Sequence, residues 1–323
     1  MNKKIWFLIW VFWLVTGLIM ELSGPSDEIV HLNSNEIKKI NPTNNNFTFA
    51  VIGDSRHSFW TFDKLLQAIN KDKALFSVNL GDFVYKGSNF RYRFYLKQIK
   101  ELIAPHLTVI GNHELKNNGR KNYERIFGPG FYSFALKNSY FILLDNNEDR
   151  VLRDHIDWLK QELETSRKFK YCFVFTHKPL FDPRKGLNVI GYGMKDEVLI
   201  NDFNKLIDKY DVTMLFVSHI HAFYQGTWGQ TPFIITGGAG APLRGDSPDS
   251  NFHHYIRVMV SENGIKYEVI KVFGNKSKKM EMLAYDLCLF KETFLWKIII
   301  GVSLIGLVGC TLSTRRDRTS SPA

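Results

Sequence analysis

The chain has 323 residues, 45% of them apolar and 23% charged, a balance that excludes a disordered chain and leaves room for one large core or two small ones. Its formal net charge of +10 is scattered in short clusters such as Arg91-Tyr92-Arg93 and Lys276-Ser277-Lys278-Lys279, and no long basic stripe with regular aromatics marks a nucleic-acid surface. The three cysteines, Cys172, Cys288 and Cys310, have no close spacing, which excludes a disulfide-dense scaffold and a thiolate zinc knuckle.

At the N-terminus Lys3-Lys4 precede an apolar stretch from Ile5 to Met20, so residues 1–23 read as a signal anchor or a signal peptide. Residues 24–46 are mostly polar, close with Asn41-Pro42-Thr43-Asn44-Asn45-Asn46, and read as a linker. A body over residues 47–275 then alternates strand and helix patterns. Strand-like runs cover Phe47 to Ile52, Leu75 to Leu80 and Leu107 to Ile110, with helical patterns at Trp60 to Asn70 and Arg91 to Leu102 between them. Each interval fits one crossover unit, which makes the three strands parallel neighbours. Phe131 to Leu136 and Tyr140 to Leu144 predict a hairpin, and Val151 to Thr165 one amphipathic helix. Strand Tyr171 to Thr176, helix Lys195 to Tyr210 and a strand beginning at Val212 follow. Short runs at Thr231 to Thr236, Tyr255 to Val260 and Ile265 to Val272 suggest an antiparallel second sheet.

Residues 276–293 read as a juxtamembrane segment and 294–313 as a transmembrane helix, apolar apart from Lys297, Ser303 and Thr311. Arg315, Arg316 and Arg318 make 314–323 a basic tail. With positive residues beside both apolar segments, both ends belong in the cytoplasm and the body lies outside it, anchored in a lipid bilayer.

Five strand-like runs end on side chains that can hold a metal. They deliver Asp54, Asp82, Asn112, His177, and the pair His219 and His221. Ligands collect outside the carboxyl ends of strands in α/β sheets. Taken alone, Asp54 reads more readily as a turn residue and His177 as a core histidine. Recurrence in order is what points to chemistry, together with alternation by two, which places both later histidines on one side of an extended segment. Oxygen and imidazole ligands suit borderline divalent or ferric metals and not calcium. Two carboxylates, three histidines and an amide exceed the needs of one tetrahedral site, and suggest two metals about 3.5–4 Å apart sharing a bridging group. Such a pair yields hydroxide from a bridging water at neutral pH and neutralises phosphoryl oxygens during in-line attack.

Asp54, Gly81-Asp82, Gly111-Asn112-His113-Glu114, His177 and Ser218-His219-Ile220-His221 resemble the ordered motifs of the calcineurin-like metallophosphoesterases, over about Phe47 to Val272. Gly81-Asp82-Phe83-Val84-Tyr85 and Val174-Phe175-Thr176-His177 are similar to elements of the purple acid phosphatase branch. The resemblance implies an α/β fold, a four-layer α/β/β/α sandwich of two mixed sheets, here flanked by N- and C-terminal hydrophobic membrane segments. It also implies two divalent or mixed-valence metal ions (Fe, Mn or Zn). On that mapping Asp54, Asp82 and His221 hold one metal, with Tyr85 either a fourth ligand or a packing residue. Asp82 bridges, and Asn112, His177 and His219 hold the other. Asn112 and His113 would contact the substrate phosphate, His113 would protonate the leaving oxygen, and Glu114 would support the loop.

Two positions depart from the pattern. Arg56 stands where many relatives have histidine, and is expected to turn towards substrate phosphate or to salt-bridge an acid. Ser218 replaces the usual glycine before the histidine pair, with little effect expected. Gly237-Gly238-Ala239-Gly240 reads as a turn. Loops such as Phe181 to Met194 and Arg244 to His254 would select the substrate. The expected function is a membrane-tethered, extracytoplasmic phosphoesterase acting on a phosphate ester, monoester or diester, with no specific nucleic-acid or protein partner. The alternative is a non-catalytic, membrane-anchored binding domain whose metal site has degenerated at Arg56.

Overall fold

Period-two patterning decides which neighbour each side of a strand meets. The structure is a computed structural model that describes residues 31–184, 192–274 and 277–293, with positions 7, 11, 15, 301, 302 and 304–306. The chain divides into two compact units, Ile29–Leu283 and a second made of Met1–Glu28 with Ala284–Ala323. Most of the expected membrane segments at 1–23 and 294–313, and the basic tail at 314–323, lie outside the described residues. Among the described residues no helix is long and apolar enough to cross a membrane.

The larger unit begins with helix α1 (Leu32–Lys39) and strand β1 (Phe47–Ile52). Helix α2 (Trp60–Lys71), β2 (Phe76–Asn79), α3 (Asn89–Gln98) and β3 (His106–Thr108) follow. Then come α4 (Gly119–Phe127), the hairpin of β4 (Tyr132–Leu136) and β5 (Ser139–Leu143), α5 (Asp149–Asp154), α6 (Ile156–Ser166) and β6 (Tyr171–Phe175). The remainder is α7 (Glu197–Lys209), β7 (Met214–Val217), β8 (Phe223–Trp228), β9 (Thr231–Thr236), β10 (His254–Ser261), β11 (Gly264–Lys271) and α8 (Lys278–Thr293), whose last turns belong to the second unit.

Two mixed sheets result, a five-stranded one in the order β11-β10-β1-β2-β3 and a six-stranded one in the order β4-β5-β6-β7-β9-β8. As expected, β1, β2 and β3 are parallel neighbours. Phe49 and Val51 on β1, Phe141 on β5, Phe173 and Phe175 on β6 and Phe216 on β7 share one buried cluster between the sheets. The alternate residues point outward. Ala50 and Ile52 pack with Phe62, Leu65 and Tyr95 of α2 and α3; Tyr140, Ile142, Val174 and Leu215 pack with Leu159, Leu163 and Phe203 of α6 and α7. The layers are therefore helix, sheet, sheet, helix, as the alternation demands.

Four expectations need correction. The short strands after residue 230 build no sheet of their own: β9 lies parallel to β7, whereas β10 pairs antiparallel with β1 and carries β11. The run from Val151 breaks into two helices at His155, whose backbone is non-helical (φ −111°, ψ 9°) and whose ring stacks on Phe131 at 3.9 Å. Part of the supposed linker is α1, with Asn33 buried and its side chain bonded to the backbone of Thr108. The supposed juxtamembrane segment starts α8, and Glu281 on it is buried, accepting from Ser58 Oγ at 2.8 Å and Thr61 N at 2.8 Å.

Candidate metal centre

The ends of β1, β2, β3, β6 and β7 converge, and several of the residues they present adopt a conformation that side chains disfavour. Asp54, Asp82 and His219 have φ of 59°, 56° and 69°, the left-handed region in which a side chain raises the backbone energy. Gly81, at φ +96°, brings its loop against the next one: a Cβ there would lie 2.6 Å from Gly111 N, and one on Gly111 would lie 2.5 Å from Asp82 Oδ1. Glu114 then ties the two loops together. Its Oε2 accepts from Asp82 N and Gly111 N, both at 2.7 Å, and its Oε1 from Val84 N at 3.0 Å. This is the loop-supporting role expected for Glu114.

Two groups of metal-capable side chains form where the loops meet, Asp82 with His177 and His219, and Asp54 with Asp82 and His221; within each group the ligand atoms lie within 4.8 Å of one another. In the first group His177 Nδ1 donates to Leu80 O at 2.7 Å, which leaves the Nε2 lone pair aimed into the site. That atom lies 3.2 Å from Asn112 Oδ1, 3.1 Å from His219 Nδ1 and 3.4 Å from Asp82 Oδ1. Electron pairs that face one another across a buried site call for a cation. Asp82 Oδ1 is also held by His113 N at 2.8 Å.

Electrostatics agree with a ligand set. Burial pushes His177 and His219 below the ordinary imidazole range, and His221 down to about 3, with Arg56 adding to the effect on His221. Neutral imidazole is the form that binds metal. Burial and the neighbouring Asp82 push the Asp54 carboxyl up to about 8. Burial also acts to raise Asp82, but the surrounding positive charge, that of Arg56 included, outweighs it and holds that carboxyl below the usual range. Asp54 Oδ1 is buried with no hydrogen-bond partner.

Three residues beside the second group bear on the expectation. Arg56 does salt-bridge an acid: its Nη1 donates to Asp82 Oδ2, and its Nη2 lies 3.2 Å from His221 Nε2. Ser218 is not neutral either, since its Oγ donates to Asp54 Oδ2 at 2.6 Å. The Tyr85 ring stacks on His57 with centroids 4.4 Å apart, and the Arg91 and Lys116 cations lie 5.7 and 5.8 Å from its centroid. Its backbone carbonyl serves the site instead, 2.8 Å from His113 Nδ1.

A cavity of about 230 Å³ opens over these residues, lined by Arg56, Asn112, His113, Tyr192, His219, His221 and Arg244. Sequence reasoning missed Arg244 and Tyr192 individually, although both come from the two loops marked for substrate selection; residues 185–191 of the first loop lie outside the described residues. The Tyr192 ring has the Arg184 and Arg244 guanidiniums 4.4 and 5.4 Å from its centroid and lies 5.5 Å from the His219 ring. Lys116, also missed, puts its amine 3.1 Å from His113 Nε2. The cavity is thus cationic and suited to an anion.

Comparison with known proteins agrees with this geometry. A probable cyclic nucleotide phosphodiesterase of Xenorhabdus bovienii is 21% identical over 211 residues, covering 59% of this chain and 75% of that protein. Among solved structures, purple acid phosphatase PPD1 from yellow lupin seeds superposes with a TM-score of 0.58 at 15% identity, over 74% of this chain and 55% of that one. GAP50, the anchor in the inner membrane complex of Plasmodium, gives 0.55 at 14% over 76% and 95%, and a dimetal phosphatase from Danio rerio gives 0.54 at 15% over 70% and 96%. At such identities the structural likeness speaks for the fold alone. The match to the calcineurin-like phosphoesterase family runs over residues 47–223, taking in every strand end that supplies the site, and the chain belongs to that family.

Proposed function

We propose that the chain is a metal-dependent phosphoesterase that hydrolyses a phosphate ester in the cationic cavity above its strand ends. The observation that carries this reading is the meeting of Asp82 Oδ1, His177 Nε2 and His219 Nδ1 in one buried group, with Asn112 Oδ1 at 3.2 Å from His177 Nε2. An iron, manganese or zinc ion suits these donors. The chemistry a divalent ion supplies when held there is Lewis acidity, which polarises the phosphoryl group and makes water a nucleophile near neutral pH.

The protein's own residues do the rest. Arg56 and Arg244 line the cavity and attract the anionic substrate, and the guanidinium fork matches phosphate oxygens. His113 donates from Nδ1 to Tyr85 O at 2.8 Å, so Nε2, which meets the Lys116 amine at 3.1 Å, is the ring's acceptor atom in the cavity. Burial pushes His113 down to about 4; an arriving phosphate anion works the other way and favours uptake of a proton at Nε2. His113 then gives that proton to the leaving ester oxygen. Tyr85 is assigned to packing, on the stacking of its ring against His57. The name of the Xenorhabdus relative favours testing diesters beside monoesters.

A bilayer anchor is part of the proposal, supported by the apolar stretches from Ile5 to Met20 and Phe294 to Leu312 and the flanking Lys3-Lys4 and Arg315-Arg316. On this reading the catalytic body lies outside the cytoplasm. Purified full-length chain should cleave p-nitrophenyl phosphate or its bis ester only when metal is bound. Bound metal with no turnover on either ester, or on a panel of nucleotide and lipid phosphates, would refute the enzyme reading. Loss from the membrane fraction at high pH would remove the anchor.

A further inference from the structure

Both departures from the family pattern put hydrogen-bond donors on the ligand atoms of the same group. Arg56 reaches two of them, Asp82 Oδ2 and His221 Nε2. His221 Nδ1 donates to Pro242 O at 2.7 Å, so the Nε2 lone pair faces the guanidinium as an acceptor. Ser218 Oγ donates to Asp54 Oδ2 at 2.6 Å. Asp54 Oδ1 alone among these atoms has no hydrogen-bond donor; it faces His221 Nε2 at 3.5 Å, but the guanidinium already lies 3.2 Å from that nitrogen. The two oxygens of Asp82 are divided: Oδ2 goes to Arg56, while Oδ1 faces His177 Nε2 at 3.4 Å.

We propose that the Arg56 guanidinium is itself the cation of this group, so that the chain holds a single divalent metal, at Asp82, Asn112, His177 and His219. The inference rests on the phosphoesterase reading and makes the site mononuclear, with arginine in place of a second ion. A histidine or lysine at position 56 could lose its proton and turn into a ligand; a guanidinium keeps its charge and has no lone pair to offer. A second divalent ion on the same carboxylate would sit against that fixed positive charge in a buried, low-dielectric site. The Arg56 side chain is only 12% exposed, and its backbone N–H donates to Asp82 O at 3.0 Å, so little freedom remains for it to swing clear. Because Arg56 also lines the cavity, its outer N–H groups are placed to take a phosphate oxygen, a task a second metal would otherwise perform.

The test is a metal count on purified full-length chain, loaded with excess Mn²⁺ and freed of unbound ion. Elemental analysis should give about one equivalent, and electron paramagnetic resonance an isolated Mn²⁺ signal without exchange coupling. His177→Ala should abolish binding, whereas Asp54→Asn should leave the count unchanged. The double variant Arg56→His/Ser218→Gly should gain a second, exchange-coupled ion. Two coupled ions in the wild type, or a folded double variant that still binds one, would overturn the proposal and leave the phosphoesterase reading standing. No bound metal and no turnover would overturn both. The wild-type count decides even where the double variant does not fold.

Discussion

Glu114 offers the sharpest test of how the site is held together. Its carboxylate is fully buried and takes three backbone N–H groups, those of Asp82, Gly111 and Val84. Burial and the nearby Asp82 push the carboxyl up to about 8, while the three donors pull it back. Glu114→Ala strands all three donors. Each buried donor left unpaired costs about 1–3 kcal/mol, and release of the carboxylate's own burial penalty offsets part of the sum, so the net loss is about 4 kcal/mol. In a domain of this size that lowers Tm by about 8–16 °C. Glu114→Gln retains an oxygen for the Asp82 and Gly111 donors but turns an NH₂ towards Val84 N, and should lose about half as much. The same bonds fix Asp82 relative to Asn112 and His113, so metal affinity should fall by about 10–100-fold in the alanine variant. Thermal denaturation followed by circular dichroism and a metal titration would measure both. An alanine variant that melts with the wild type and binds metal equally well would refute the reasoning.

Two further outcomes follow from the same geometry. His113→Ala should keep its metal and lose about 10²–10⁴-fold in kcat; wild-type turnover with unchanged metal content would remove its acid role. His106 is buried between Ser77 Oγ and Tyr95 OH, 2.7 Å from each, and burial pushes it down to about 3. The unfolded chain protonates this histidine below about pH 6.5 while the folded chain does not, so acid favours unfolding and stability falls as pH drops. One such group contributes a slope of about 1.4 kcal/mol per pH unit between about pH 6.5 and 4. Urea melts at pH 7 and pH 5 should therefore show a loss about 2 kcal/mol smaller in His106→Asn than in wild type, and equal losses would count against a neutral buried His106.

The parts of the fold that were legible were those with a local signature. β1 and β9 match their apolar runs at both ends, and the ligand residues stand where the β1 run and four similar runs stop. What was missed had weak local signals. β8 exposes Gln225, Gly226 and Thr227 and keeps only Trp228 buried, so its residues do not alternate. α4 carries just Tyr123, Ile126 and Phe127 on its buried apolar side. Pairing was misread for another reason: β10 binds β1, in a register that joins Phe47 to Val260, and no local pattern encodes so distant a partner. For Arg56, charge alone named salt bridging as one of two outcomes; selecting it required knowing that Asp82 turns one oxygen towards it. Ser218 was underestimated because a serine says nothing about what lies opposite its hydroxyl.

The loops of the site are tied to one another before any ion enters. Asp54 N donates to Gly81 O at 3.1 Å, Ser218 N to His177 O at 2.9 Å, Ala239 N to Gly53 O at 3.0 Å and Ala241 N to Asp54 O at 2.8 Å. These bonds run from strand end to strand end and compensate for the left-handed backbone at Asp54, Asp82 and His219, which costs about 1–3 kcal/mol per residue. Crowding of like partners is sustained by the backbone and not by the cation alone. The same ring fixes residue 56, whose N–H is bonded to Asp82 O at 3.0 Å. Fold therefore sets the place that the side chain at 56 occupies, and the identity of that side chain sets the chemistry. An imidazole there could add a ligand to the Asp54, Asp82 and His221 group, whereas the guanidinium brings the positive charge itself.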